Sequence, residues 1–209
     1  MGLRPGGPPP GDRRVAGLSG VLLVRHASTP GMRAACFPAP DADADAASLA
    51  RAAALTQTVA RAAAGAVAWA APSVAAGQTV AALGLAARVV PALAEVDCGR
   101  WQGQPYERVA REEPDALASW LTDPHAAPHG GESLAAHAGR VAAWLESVRA
   151  EPGVVAVCDA GAIRAALGYA LGLDPLSAAR FDLAPLSVTE LTVTRAGWRV
   201  AHVNRKVLI

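Results

Sequence analysis

An arginine and a histidine stand side by side where a short apolar run ends. Residues 21–24 are all aliphatic, and Arg25 and His26 follow them directly. An arginine guanidinium is a planar set of donors that matches phosphate oxygens, and an adjacent imidazole can act as a nucleophile or a base. A histidine at the end of a strand is also often satisfied by backbone carbonyls. The pair therefore indicates an anion site only where other segments support it.

The apolar runs predict the strands that position this pair. Unbroken apolar stretches at 21–24, 67–70 and 154–157 are typical of parallel strands buried on both faces. Residues 187–194 and 198–203 flank a polar turn that contains glycine, which predicts an antiparallel hairpin. In sheets of parallel strands, ligands bind at the carboxyl ends of the strands. His26 is expected at that edge.

Helical segments separate the predicted strands. We predict helices from 48 to 64 with Ser48 as the cap, over 78–86, over 106–121, and from about 133 onward. In the last of these, apolar residues recur at intervals of three and four, which makes one stripe that can pack on a sheet. Strands that alternate with helices predict an α/β protein of three layers, α/β/α, with a mostly parallel central sheet.

Length and composition fit one globular domain. The 209 residues suffice for one hydrophobic core, and the net charge of +1 gives no reason to expect a nucleic-acid or membrane partner. We expect a domain over residues 19–209 after a flexible Pro/Gly-rich tail over 1–18, which lacks the apolar segment of a signal peptide. Three cysteines without a CxxC pair fit reduced thiols in a cytoplasmic protein.

Four segments resemble, in order, the signatures of the histidine phosphatase (phosphoglycerate-mutase-like) superfamily. Residues 22–29 (LLVRHAST) are similar to a strand that ends in Arg-His-Gly-x-Thr. Residues 93–103 resemble Leu-x-Glu-x-x-x-Gly-x-Trp-x-Gly, and 128–133 resemble the turn Pro-x-Gly-Gly-Glu-Ser before a long helix. Residues 155–164 resemble a strand followed by Ser/Thr-His-Gly/Ala-Gly-x-x-Arg. Four motifs in one order are more specific than any one of them.

The resemblance implies a role for each matching residue. His26 would be the nucleophile that becomes phosphohistidine, and Arg25 would hold the phosphoryl group with help from Ser28 and Thr29. Glu95 would protonate the leaving oxygen and then activate water, which a carboxyl group of raised pKa can do. The substrate would be a small phosphorylated metabolite, as in the α-ribazole phosphatase-like branch, and no cofactor or metal would be needed.

Two positions depart from the family pattern. The segment 71–80 resembles one that supplies a second phosphate-binding arginine, but Ala75 stands at that place, and Asp159 stands where the second signature has histidine. One unit charge at about 4 Å is worth roughly 4 kcal/mol at an effective dielectric near 20. Losing one cation and inverting another should weaken dianion binding. Asp159 could also pair with Arg25 and close the anion site.

Four other side chains are candidates to restore the missing positive charge. They are Arg33, Arg100, Arg164 and His129.

Three interpretations follow. The first is a phosphomonoesterase of reduced activity that uses His26. The second is a non-catalytic family member that serves as a binding or scaffold protein. The third is a metal site, since His26, Glu95 and Asp159 would be one imidazole and two carboxylates in one pocket.

Overall fold

Six strands form one mixed sheet in the computed structural model, which describes residues 20–206. They are β1 (Gly20–Arg25), β2 (Val67–Ala70), β3 (Arg88–Val89), β4 (Val154–Cys158), β5 (Ser187–Thr194) and β6 (Gly197–Lys206). The order is β3-β2-β4-β1-β5-β6. The first four strands run parallel to one another, and β5 pairs antiparallel with β1 on one side and with β6 on the other. The mostly parallel sheet and the closing hairpin are therefore confirmed, while the tail predicted over 1–18 lies outside the described residues.

The register of β1 and β4 brings their two following residues together. The strands are parallel neighbours, and Arg25 lies opposite Cys158. The backbone N–H of His26 extends the ladder by donating to the Cys158 carbonyl at 3.0 Å. His26 and Asp159 each follow the end of their strand, so both emerge at the same carboxyl edge of the sheet.

Helices occupy most of the chain between the strands. They are α1 (Pro30–Arg33), α2 (Ala46–Ala54), α3 (Thr56–Ala62), α4 (Val74–Ala82), α5 (Tyr106–Glu112), α6 (Pro114–Thr122), α7 (Leu134–Ser147), α8 (Ala160–Leu171) and α9 (Pro175–Ala178). Single 3-10 turns form at Pro91–Leu93 and Gly99–Trp101. None of the helices within residues 20–206 is long and apolar enough to cross a membrane.

Three predicted helix boundaries are wrong. The first helix begins at Ala46 rather than after Ser48. The buried hydroxyl of Ser48 does not cap the helix but accepts a hydrogen bond from the Ser28 N–H. The segment predicted as one helix to residue 64 is divided into α2 and α3. The helix predicted over 78–86 begins four residues earlier, in α4. The helix predicted over 106–121 is two helices, because Pro114 disfavours a helical conformation at Glu113.

The start of α7 is confirmed at Ser133. Its hydroxyl accepts a hydrogen bond from the Ala136 N–H at 3.1 Å, which satisfies one of the free donors of the first turn. The helix buries His137, Val141, Trp144 and Leu145. It packs along α8, and α8 in turn contacts β1 and β6. These contacts anchor α8, which begins directly after Asp159.

We predict that the core face of α8 carries most of its contribution to stability. Leu167 is fully buried, whereas Leu171, one turn later, is 47% exposed. Leu167→Ala should lower the free energy of unfolding by about 2–5 kcal/mol, because it leaves a cavity in a packed core. Leu171→Ala should change it by less than about 0.5 kcal/mol. Urea denaturation measures both, and equal losses would contradict the burial of this face.

Candidate active site

His26 and Asp159 form a direct hydrogen bond at the carboxyl edge of the sheet. His26 Nε2 lies 2.9 Å from Asp159 Oδ1, and the two residues are only 3% and 7% exposed. The hydroxyl of Ser73 donates to the other oxygen of Asp159 at 3.2 Å. The alternative in which Asp159 pairs with Arg25 is therefore not realised, because register places the carboxylate against the imidazole.

The other ring nitrogen decides where the proton lies. His26 Nδ1 is 2.7 Å from the Ala27 carbonyl, which can only accept, so Nδ1 carries a hydrogen. The contact between Nε2 and Asp159 then requires one further proton. Burial is the largest influence and lowers the pKa of His26, but the hydrogen bond and charge of Asp159 and the Ala27 carbonyl together raise it above its usual value. The raised pKa favours the form in which this further proton lies on Nε2, so that the ring donates to Asp159 Oδ1.

Arg25 lies beside this pair. Its guanidinium donates to the Leu183 carbonyl, and one terminal nitrogen is 3.4 Å from Met32 Sδ. Its Nε is buried and has no acceptor within residues 20–206. Burial lowers the pKa of Arg25, and the positive charge of Arg164 lowers it further, against the effect of nearby carboxylates. Arg164, whose Nε donates to the Phe181 carbonyl at 2.9 Å, thus lies close enough to add positive charge to the site.

Glu95 is fixed at the beginning of α8. One oxygen of its carboxyl group accepts from the Gly161 N–H at 2.8 Å, and the other from the N–H of Val96 at 2.9 Å. A Cβ at position 161 would overlap Glu95 Oε1, so only glycine lets this carboxyl group approach the helix. Gly161 is two residues after Asp159. Glu95, the predicted acid, therefore lies at the start of α8, as does Asp159, which contacts the predicted nucleophile His26.

Arg140 holds the loop that carries Glu95. Its guanidinium binds both oxygens of Glu132, at 3.0 and 2.6 Å, and donates to the carbonyls of Ala92 and Ala94 at 2.9 and 3.0 Å. Sequence analysis missed this residue. The available signal was its position on α7, eight residues after the glutamate of the Pro-x-Gly-Gly-Glu-Ser turn, but the loop it contacts is remote in sequence.

Two glycines join the second and third motif segments. Gly99 has a φ of +49°, and a Cβ there would strike the His129 carbonyl; a Cβ on Gly131 would strike the Asp97 carbonyl. Because neither position has a Cβ, the two segments approach closely, and the backbone N–H of Glu132 donates to the Asp97 carbonyl at 2.8 Å. The Glu95 loop is thus positioned by backbone contact from one side and by Arg140 from the other.

The turn after His26 is tied to other parts of the protein. The Ser28 hydroxyl donates to Asp45 Oδ2 at 2.9 Å, and Thr29 is buried immediately before α1. Arg33 donates both terminal nitrogens to the same Asp45 carboxylate. The hydroxyl predicted to help bind phosphate is therefore occupied, and Arg33 is neutralised by an acid rather than directed to His26.

Two other candidates for restoring the missing positive charge, Arg100 and His129, have partners away from His26 and Asp159. Arg100 forms an ion pair with Glu113 and donates to the Pro128 carbonyl at 2.5 Å. His129 is buried edge-on against Trp101, with ring centroids 5.0 Å apart, and burial lowers its pKa. Neither supplies the missing charge. Of the four candidates, only Arg164 is placed beside Arg25.

Ala75, the residue at the position where the motif predicts a second arginine, supports the histidine turn through its backbone. It is buried in the first turn of α4, and its carbonyl accepts from the Thr79 hydroxyl at 2.6 Å. The same hydroxyl oxygen accepts from the Ala27 N–H at 2.9 Å. Through Thr79, α4 therefore holds Ala27 in place, and the Ala27 carbonyl determines the tautomer of His26.

The geometry gives no support to a metal site. Asp159 contacts His26 directly, and the Glu95 carboxyl group is engaged by backbone N–H groups. Within the part of the chain that the structure describes, no three His, Cys, Asp or Glu side chains are grouped so as to hold an ion.

Comparison with known proteins agrees with the motifs. The sequence profile of the histidine phosphatase superfamily (branch 1) matches residues 21–206. The chain belongs to this superfamily. It is 37% identical over 84 residues to phosphoserine phosphatase 1 of Hydrogenobacter thermophilus, a match that covers 38% of this chain and 40% of that relative.

Solved structures of the superfamily share the fold. A mycobacterial glucosyl-3-phosphoglycerate phosphatase in complex with VO3 matches with a TM-score of 0.77 and 24% identity, over 89% of this chain and 98% of that one. A putative α-ribazole-5'-P phosphatase from Escherichia coli K-12 matches with a TM-score of 0.79 and 15% identity, over 92% and 100%. At this identity the likeness shows the phosphoglycerate mutase-like fold, which the motifs had predicted.

We predict that Asp159 controls the protonation of His26. Asp159→Asn removes the charge and keeps the shape, while burial and the Arg25 charge continue to lower the pKa of His26. That pKa should move from above to below its usual value. An NMR titration of the ring measures it, with exposed Asp115→Asn as control; an unchanged pKa would contradict the ion pair.

We also predict that Arg140 stabilises the Glu95 loop. Lysine cannot bind Glu132 with two parallel bonds and reach the loop carbonyls together. Arg140→Lys should therefore cost about 1.5–3 kcal/mol in urea denaturation, as is typical for hydrogen bonds of charged groups. Arg108→Lys, in an exposed pair with Glu112, should cost less than about 0.5 kcal/mol. Equal losses would show that Arg140 is an ordinary surface residue.

Proposed function

We propose that this protein is a phosphomonoesterase that transfers the phosphoryl group of a small metabolite to His26 Nε2 and then hydrolyses it. One observation carries the proposal: the Ala27 carbonyl holds Nδ1 protonated, so that Nε2 is the nitrogen available for attack. Glu95 lies at the adjoining start of α8, and Arg25 has a buried Nε without an acceptor in the described part of the chain, residues 20–206. Such a donor suits a phosphoryl oxygen.

The proton on Nε2 must leave before attack, and two routes exist. Loss of the proton to solvent leaves Asp159 ionised, and a phosphate dianion about 4 Å away would then meet roughly 4 kcal/mol of repulsion for each of its charges at a dielectric near 20. Transfer to a carboxylate costs about 3.5 kcal/mol, since ordinary imidazole and carboxyl pKa values differ by about 2.6 units. The second route is the cheaper one, so we assign the proton to Asp159 during the reaction.

The reaction then balances as follows. The proton on Nε2 moves to Asp159 Oδ1, and Nε2 attacks phosphorus. The bond from phosphorus to the leaving oxygen breaks, and Glu95 in its protonated form passes its proton to that oxygen. Water next attacks phosphorus, Glu95 takes a proton from the water, and the electron pair of the P–N bond returns to Nε2. Phosphate leaves, and the proton on Asp159 returns to His26.

Protonated Asp159 also replaces the missing histidine chemically. A neutral carboxylic acid has an O–H that can donate to a phosphoryl oxygen, as a protonated imidazole would. The proton transfer costs about 3.5 kcal/mol, which corresponds to roughly 400-fold in rate. We therefore expect real but slow hydrolysis.

A non-catalytic binding or scaffold protein is the second candidate. The observation that favours it is the occupied nucleophile: Nε2 is hydrogen-bonded to a carboxylate, and His26 is 3% exposed. In that case, Asp159→His, which reinstates the family residue, should create activity that the natural chain lacks.

The pH profile of aryl phosphate hydrolysis tests the proposal. Because the productive state keeps one proton on the pair, the loss of that proton should lower kcat/KM about tenfold per pH unit above the raised pKa of His26, in addition to any fall that comes from Glu95. Asp159→Asn has no such proton to lose but still needs protonated Glu95, so the ratio of wild-type to Asp159→Asn kcat/KM should fall about tenfold per pH unit over the same range. A ratio that stays constant or rises with pH there would contradict the role of Asp159.

His26→Ala is the control for chemistry at this histidine. It should abolish both turnover and the burst of aryl alcohol released as phosphohistidine forms. Wild-type rates no faster than those of His26→Ala would instead establish the non-catalytic candidate.

A further inference from the structure

A cavity opens beside Glu95 and extends between α7 and α8. Its volume is about 550 Å³, within the range of roughly 300–1,000 Å³ that small-molecule sites occupy. Glu95, Gly161 and Arg164 lie at its polar end, and Tyr169 and Leu173 line it further along. The acid proposed for the leaving oxygen thus borders a space large enough for the rest of a substrate.

The walls of this cavity are mainly apolar. Small residues on facing helices create the space, with Ala138 and Ala142 on α7 and Ala165 on α8, and larger apolar side chains, among them Leu134 and Leu176, enclose it. A sugar or an amino acid in this space would leave several polar groups without partners, at about 1–3 kcal/mol each. An apolar group would gain about 25 cal/mol for each Å² that it buries.

One polar group in the wall lacks a partner. His137 is 3% exposed, and its Nε2 is buried without a hydrogen-bond partner among residues 20–206. Burial, as the largest influence, lowers the pKa of His137, so the ring is neutral near pH 7. Unpaired buried ring nitrogens are uncommon, and a single hydroxyl or N–H of a ligand would satisfy this one.

We propose that this cavity binds the leaving group of the phosphomonoester, and that this group is an apolar alcohol or phenol with one hydrogen-bonding group for His137. The inference rests on the proposed phosphomonoesterase function and specifies its substrate class. The phosphoryl group lies toward His26 and Arg25, the leaving oxygen meets Glu95, and the apolar body lies between α7 and α8.

Direct binding tests the cavity without any chemistry. By isothermal titration calorimetry, 1-naphthol should bind the natural protein, whereas glycerol should not. Ala142→Phe fills the cavity and should weaken 1-naphthol at least tenfold. Ala143→Phe is the matched control, because Ala143 is the next residue on α7, is exposed and does not line the cavity. Equal affinity in the two variants would overturn the proposal.

A second variant protects the test against misfolding. Ala138→Leu lies one turn earlier on the same face of α7 and should also weaken 1-naphthol, while thermal denaturation verifies that each variant is folded. His137→Leu should lower the affinity without closing the cavity, since it removes the hydrogen-bonding ring and leaves a side chain that is no larger. Unchanged affinity in both Ala138→Leu and His137→Leu would place the ligand elsewhere.

Hydrolysis separates failure of this inference from failure of the proposed function. The ratio of kcat/KM for 1-naphthyl phosphate to that for glycerol phosphate should fall at least tenfold in Ala142→Phe and remain constant in Ala143→Phe. Comparison between variants cancels the different reactivities of the two leaving groups. Binding of 1-naphthol with no hydrolysis would uphold the cavity and reject the phosphatase; hydrolysis with an unchanged ratio would do the reverse.

Discussion

Only one proton fits in the 2.9 Å between His26 Nε2 and Asp159 Oδ1, and the chemistry of the site depends on which atom holds it. The contact follows from the sheet, because parallel β1 and β4 end in register and deliver the two side chains to the same edge. The Ala27 carbonyl removes the alternative tautomer. Asp159 thereby acts on the protonation of a histidine that lies 133 residues earlier in the chain.

The rest of the site is organised to keep the Glu95 carboxyl group at the start of α8. Glu95 reaches α8 only because position 161 has no side chain, and its loop is held by the guanidinium of Arg140. Gly99 and Gly131 allow the flanking segments to meet backbone to backbone. Three of the four motifs thus contain a glycine at a position where a side chain would collide with a neighbouring segment. Their spacing in the sequence reflects close approach in the fold rather than chemistry at those positions.

The sequence predicted what depends on local pattern and motif order. The buried strands, the closing hairpin and the Ser133 cap are read from periodicity and capping, and the structure has them. Helix ends were predicted less well, because the burial of Ser48 depends on a distant turn. The partner of Asp159 could not be predicted, since it depends on strand register and side-chain rotamers. The burial of His129 against Trp101 could not be predicted from the sequence either, and this burial makes His129 unsuitable as a cation.

The structure also changes the charge balance inferred from the sequence. Asp159 had been counted as a free negative charge against Arg25 alone, which predicts weak binding of a dianion. In the fold it is neutralised by His26, and the pair stays neutral whether the proton lies on nitrogen or on oxygen. Arg164 adds a second cation beside Arg25. In the proposed mechanism, an aspartate at position 159 therefore acts less on phosphate affinity than on the free energy of releasing His26, which is a kinetic cost.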